Sequence, residues 1–359
     1  MVMKNQFNRR DFLKHSLSFA IGGATVAVLN PYVKIGDRIL GLLNPGLEIP
    51  FKKSFLAMGS FVDIAIYDQK VTHLPFIMAK AEEEIMAVDR LMSSFTDKSD
   101  LARINRAAGH DSVVVDQRLC EVMDSAKKMA ETTGGIFDPT VLPLLKLYGL
   151  RDNQPRIPDA TSLERTLPLV DYRKIDVNLA ASRVGLEKMG AAADLGGIAV
   201  GYAVDRAVAV LKAHGIQRAV INAGGEVYAL GTPRDQEGWE IGIQHPSVPN
   251  RLAGKVVIAN KAISTSGNYE SNALADNRKV GHLCDPKSGS MIDPMLSATI
   301  IADTTMEADA LATATFLMGA QKATRFIAAQ KNAGGAFILG RSGRDIETVR
   351  AGRFPEIIA

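Results

Sequence analysis

AADLGGIAVGYAVDRAVAVLKAHG (192–215) is followed, after three residues, by AVINAGGEVYALG (219–231) and then by WEIGIQHP (239–246). The first stretch is a glycine-rich turn opening an apolar helix. The next two are rich in Val, Ile, Tyr and Trp and read as strands. A helix followed by consecutive strands breaks the strict alternation of a doubly wound parallel sheet and predicts an α+β fold.

The flanking sequence extends this pattern. KAISTSGNYE (261–270) and VGHLCDPKSG (280–289) read as strand ends with turns, and SATIIAD (297–303) as a strand leading into MEADALATATFLMG (306–319), an apolar helix. Toward the N-terminus, FKKSFLAMGSFVDIAIYD (51–68) predicts a strand or hairpin, and FIMAKAEEEIMAVDRLMS (76–93) has apolar residues at helical spacing. SSFTDKSDLARIN (93–105) predicts a loop in which Ser99 or Asp100 caps a short helix. A second amphipathic helix over about 117–132 runs into TTGGIFDPT (132–140), and 153–190 reads as loop and strands. No internal repeat is present.

A chain of 359 residues, 47% hydrophobic and 23% charged, supports one large core or two modest ones and is not disordered. Its net charge of +3 is matched by Lys4, Arg9, Arg10 and Lys14 against Asp11. The remainder is therefore neutral, which argues against a nucleic-acid partner. NQFNRRDFLKHSLSFAIGGATVAVLN (5–30) joins the basic pair Arg9-Arg10 to an apolar, glycine-rich run, the pattern of a twin-arginine export signal or an uncleaved N-terminal anchor. Cys120 and Cys284 are the only cysteines, too few for a disulfide framework.

Several residues suit chemistry, each with a plainer alternative. On a helix, Asp309 and Thr313 project from one face, and a carboxylate with a hydroxyl suits Mg²⁺. Equally, Asp309 can cap the helix and Thr313 can bond back to a carbonyl one turn earlier. The glycines of DLGGIAVG (194–201) can offer backbone N–H groups to phosphate, or be structural, and Asp194 can be a cap. Gly224 and Gly225 fit a close approach or a bulge, and Thr265-Ser266-Gly267 an oxygen-binding or ordinary turn. His282 is a candidate base for an incoming hydroxyl or a structural histidine. Phe95 and Phe137 can stack on a planar ring or fill a core.

The order of these segments is specific where each alone is not. Met58-Gly59-Ser60, Ser94-Phe95 through Asn105, Gly134 through Thr140, Asp194-Leu195-Gly196-Gly197, Asn222 through Glu226, Thr265-Ser266-Gly267, His282 with Asp285-Pro286, and Ala308-Asp309 through Thr313 together closely resemble the ApbE family of FAD:protein FMN transferases, from about 51 to 340. The resemblance implies a single α+β domain of T-fold-like character with mixed or antiparallel sheets and packed helices. It would cover 51–345, after an export signal or anchor (1–30) and a linker (31–50), and before a C-terminal tail (346–359). It implies Mg²⁺-dependent transfer of FMN from FAD to a Thr or Ser hydroxyl of an acceptor flavoprotein, an exported or membrane electron-transfer subunit, with release of AMP. The alternatives are an FAD pyrophosphatase, giving FMN and AMP, and a non-catalytic FAD-binding protein. By position, Met58, Phe95, Ile136, Phe137, Asp138, Asp194, Val200 and Leu283 are implied FAD contacts; Gly197, Asp309 and Thr313 the metal set; and His282 the base. Relatives often carry Lys where this chain has Val200, which leaves phosphate stabilisation more to the metal and backbone amides. Leu283-Cys284 replaces the usual apolar pair, with the thiol expected to be buried and inert.

Overall fold

The computed structural model describes residues 19–21, 24–26 and 48–358, apart from 69, 153, 249, 268–273, 276–277, 280, 282, 293 and 342–344. The Arg9-Arg10 pair and most of the N-terminal apolar run lie outside the described residues, as does His282. Strands β1 (Phe19–Ile21) and β2 (Ala24–Val26) form a short antiparallel ribbon.

The centre is an eight-stranded, wholly antiparallel sheet in the order β17-β16-β15-β12-β9-β8-β4-β3. In chain order its strands are β3 (Phe51–Ala57), β4 (Ser60–Ile66), β8 (Ala219–Ala223), β9 (Glu226–Leu230), β12 (Lys261–Ser266), β15 (Ser297–Ala302), β16 (Gly334–Gly340) and β17 (Ile346–Gly352). Hairpin β3–β4 turns on Met58 and Gly59, both with positive φ (55° and 75°), the backbone a two-residue turn between right-twisted strands requires.

Side-chain alternation gives this sheet two buried faces. Ile64, Ile66, Ala219, Ile221, Tyr228 and Ile300 face a core shared with helices α1 (Leu74–Met92), α3 (Gln117–Thr132), α6 (Ala199–Ala213), α7 (Thr305–Met318) and α8 (Ala320–Ala328). Ala65, Tyr67, Val220, Val227 and Ile301 face the other way, onto a ribbon of β10 (Trp239–Gln244) and β11 (Leu252–Ile258). A third cluster gathers Leu142, Leu144 and Leu145 of α4 (Leu142–Leu147) with Tyr148, Ala192 and Cys284.

Ser99 caps α2 (Asp100–Arg106), accepting from Ala102 N at 3.0 Å, and Asp116 caps α3 by accepting from Arg118 N. Helices α4 and α5 (Ala160–Thr166) fall where the sequence was read as loop or left unassigned; at six and seven residues they are too short to display a period. The rest of 153–190 supplies β6 (Ile175–Asn178) and β7 (Arg183–Leu186), which pair with each other and with β5 (Val113–Val114). β13 (Leu274–Ala275) and β14 (Arg278–Lys279) form a further short pair.

The boundary expected at 345 is corrected: 346–352 is not a tail but the edge strand β17, paired residue by residue with β16. Its mixed sequence, with Glu347 and Arg350 among the apolar residues and only Ala351 buried, hid it as a strand. The expected linker also ends inside the fold, because Glu48 pairs with Arg218 at 2.8 Å. No described helix is long and apolar enough to cross a membrane.

Candidate functional site

Helix α7 carries the densest chemistry. It is apolar on almost every side, so a carboxylate on it is conspicuous. Thr304 is its N-cap, accepting from Glu307 N at 3.2 Å, so Asp309, in the second turn, is not the cap. Asp309 is 4% exposed. Its Oδ2 accepts from Gly201 N at 3.0 Å, and among the described residues its other oxygen has no donor. Burial pushes its pKa up to about 7, with the Gly201 N–H opposing that rise and nearby Asp205 adding to it. Thr313, one turn on, makes no bond back to the helix; its hydroxyl lies 3.5 Å from Ser266 Oγ. Thr315 is the residue that back-bonds, donating to Leu311 O at 2.7 Å away from the site. The plainer readings of Asp309 and Thr313 are therefore not what the fold does with them.

Gly197 stands opposite. A Cβ there would lie 2.9 Å from Thr313 Oγ1, so only glycine lets the two segments approach this closely without displacing the hydroxyl. The first intrahelical bond of α6 runs from Tyr202 N to Ile198 O. Gly201 N–H, the donor that would otherwise close a turn onto the Gly197 carbonyl, goes to Asp309. That leaves the Gly197 carbonyl oxygen without a donor among the described residues, on a residue packed against Thr313. The set is all oxygen, and the described residues place no group of three or more His, Cys, Asp or Glu side chains so as to hold a metal ion. A hard cation such as Mg²⁺, which takes few protein ligands and completes its shell with water and phosphate, fits these donors.

Gly197, Asp309 and Thr313 open onto a cavity of about 1020 Å³, also lined by Phe95, Ile136, Phe137, Asp138, Asp194 and Leu283. Nine of the implied site residues thus converge from segments more than 200 residues apart. Asp194 is tightly held: its Oδ2 accepts from Ser94 Oγ and from Arg151 Nη2, both at 2.6 Å, and its Oδ1 from Gly196 N at 3.0 Å. It ties the glycine turn to the Phe95 loop and is not a helix cap, since α6 has none from a side chain. Asp138 accepts from Thr140 N, Thr140 Oγ1 and Tyr172 N, and desolvation by burial still raises its pKa. Phe95 is 71% exposed at the rim, with the Arg151 guanidinium 4.6 Å from its ring centre.

The turns singled out in the sequence also reach the cavity: Asn222 with Gly224-Gly225, and Thr265-Ser266-Gly267. Gly224 and Gly225 (φ 65° and 110°) close hairpin β8–β9, and Gly225 N donates to Asn222 Oδ1 at 3.0 Å. Met58 and Val200 do not line the cavity. Both are half-buried and packed on the main core, Met58 from the β3–β4 turn and Val200 from the first turn of α6. Cys284 lines the cavity as a buried thiol whose pKa desolvation pushes up to about 12; both cysteines are free.

The sequence reading missed Arg151, Asp63 and the segment Gln244 through Ser247. His245 in that segment is buried, with Nδ1 accepting from Ser247 N at 3.1 Å. A single Arg after a short helix and a strand end carry no pattern that would have flagged them.

Residues 58–338 match the model of the ApbE family. The chain is 28% identical over 288 residues to the FAD:protein FMN transferase of Treponema pallidum, covering 76% of this chain and 80% of that protein. It is 29% identical over 276 residues to one of Klebsiella pneumoniae, covering 76% and 84%. The crystal structure of the ApbE protein from Thermotoga maritima superposes with a TM-score of 0.76 at 29% identity, over 83% of this chain and 96% of that one.

Proposed function

The chain belongs to the ApbE family, and from that premise we propose how its residues carry out the reaction. It is an FAD:protein FMN transferase: FAD is its substrate and an acceptor flavoprotein receives FMN. The observation that carries the mechanism is the meeting of Asp309, Thr313 and Gly197 on the wall of a cavity large enough for a dinucleotide.

Asp309, Thr313 and the Gly197 carbonyl would hold Mg²⁺. When bound, that ion supplies Lewis-acid neutralisation of the charge gathering on the diphosphate oxygens. The chain's own residues bind and align the substrate. Phe95, Ile136, Phe137 and Leu283 supply apolar cover for ring systems, and the glycine turns at 196–197 and 224–225 bring backbone close to the cavity. The acceptor Thr or Ser oxygen attacks the FMN phosphorus, the bond to the AMP phosphate oxygen breaks, and a phosphoester forms as AMP leaves. His282 takes the hydroxyl proton, because an unassisted hydroxyl is a poor nucleophile at neutral pH.

The export-type segment around Arg9-Arg10 supports action outside the cytoplasm, periplasmic or membrane-anchored, on an exported electron-transfer subunit. Purified protein incubated with FAD, Mg²⁺ and a candidate acceptor tests the reaction. Covalently yellow acceptor with stoichiometric AMP is expected. FMN and AMP without labelling would make the protein a pyrophosphatase, and unchanged FAD a binding protein.

A further inference from the structure

Five carboxylates line the cavity: Asp63, Asp138, Asp194, Glu226 and Asp309. Among the described lining residues Arg151 carries the sole full positive charge. A diphosphate is anionic, so this wall repels it except where a cation stands. Arg151 is firmly placed there. It follows α4, in a loop closed by Leu150 N to Leu145 O, Gln154 N to Gly149 O and Arg156 N to Tyr148 O at 3.0–3.1 Å. Its Nη2 is fixed on Asp194 and its guanidinium plane lies by Phe95.

Only one of its donors is spent in this way. Nε is buried and has no hydrogen-bond partner among the described residues. An arginine offers five N–H donors in a rigid fork suited to phosphate, and of these only one Nη2 donor is met among the described residues, which leaves the outer edge of the fork for an acceptor. Asp194 also accepts from Gly196 N, and Gly197 touches Thr313, so the guanidinium stands at the side of the cavity where the metal set lies.

We propose that Arg151 is a substrate-binding residue: it donates to a diphosphate oxygen of FAD, with Asp194 and Phe95 holding it in place. The proposal rests on the reading of this cavity as the FAD site. Equilibrium binding to the full chain in EDTA separates the two, with FAD, ADP and riboflavin as probes of wild type, Arg151→Met and Arg151→Lys. In Arg151→Met, FAD and ADP affinities are expected to fall about 10–100-fold, the range for losing a hydrogen bond to a charged group, and riboflavin affinity less than about twofold. Arg151→Lys, which keeps the charge and loses the fork, should fall between and show the same probe pattern. Unchanged FAD and ADP binding in Arg151→Met overturns the proposal, as does an equal loss for riboflavin. Wild-type protein that binds none of the three, in EDTA or with Mg²⁺ restored, overturns the FAD site itself. Asp194 retains Ser94 and Gly196 as donors in either variant, and an unaltered melting temperature checks that both are folded.

Discussion

At the residue scale, Asp309 is a carboxylate that the fold buries before any cation neutralises it. Desolvation raises its pKa from 3.8 to about 7, so the folded state holds a proton that the unfolded chain gives up. Its contribution to stability is fully present below 3.8 and is lost as the pH rises through about 7. Metal-free protein should therefore melt at lower temperature at pH 8 than at pH 5.5, and Asp309→Asn should flatten that slope. Mg²⁺ should raise the melting temperature more at pH 8, where it need not displace a proton; equal shifts at both pH values would remove Asp309 from the metal set. Asp309→Ala should lower Mg²⁺-dependent turnover by more than the roughly 10–100-fold typical of losing a residue that only supports a ligand. Gly197→Ala makes a complementary test. Its Cβ would crowd Thr313 Oγ1 at 2.9 Å, and the short threonine side chain must rotate to relieve it. The expected variant is folded, with turnover down about tenfold or more and with a raised Mg²⁺ requirement in a metal titration.

At the scale of elements, the site depends on how α6 and α7 are locked together. A Cβ on Gly201 would lie 2.3 Å from Thr305 O, so the two helices pack backbone to backbone. Asp205 of α6 reaches the start of α7 and accepts from Thr305 N at 2.8 Å and Met306 N at 2.9 Å. Asp205→Ala strands two N–H donors and should cost about 2–4 kcal/mol in denaturant unfolding. Asp205→Asn, which keeps one acceptor, should cost less; equal, negligible costs would show that α7 is held by apolar packing alone. Legibility in the sequence followed the same scale. The helix over 117–132 was readable because sixteen residues display their period and Asp116 supplies a cap. Helices α4 and α5 were not, since their stability comes from neighbours that the local sequence does not name. Gly197, Asp309 and Thr313 were legible through the order of motifs, while Arg151 became visible only when the fold placed it on Asp194.

At the scale of the whole molecule, the cavity draws its wall from the Phe95 loop, the 134–151 segment, both glycine turns and α7. The lining as a whole draws on all the packed layers: the central sheet contributes Asn222 and Thr265, the outer ribbon Ile241, and the helical side Asp309. An occupant that touches every layer stabilises the fold as a unit by mass action, because the unfolded chain has no such site. At a free FAD concentration one hundred times its dissociation constant, linkage amounts to about 2.7 kcal/mol. For a domain of this size that corresponds to an upward shift of roughly 5 °C in melting temperature. The sharing of the two cores by one sheet, through alternating residues such as Val220 and Ile221, predicts a single transition that moves as a whole. Scanning calorimetry with and without FAD measures both features at once. Two resolved transitions of which FAD shifts only one would show that the cavity belongs to a separately folding part, and that the two faces of the sheet do not unfold together.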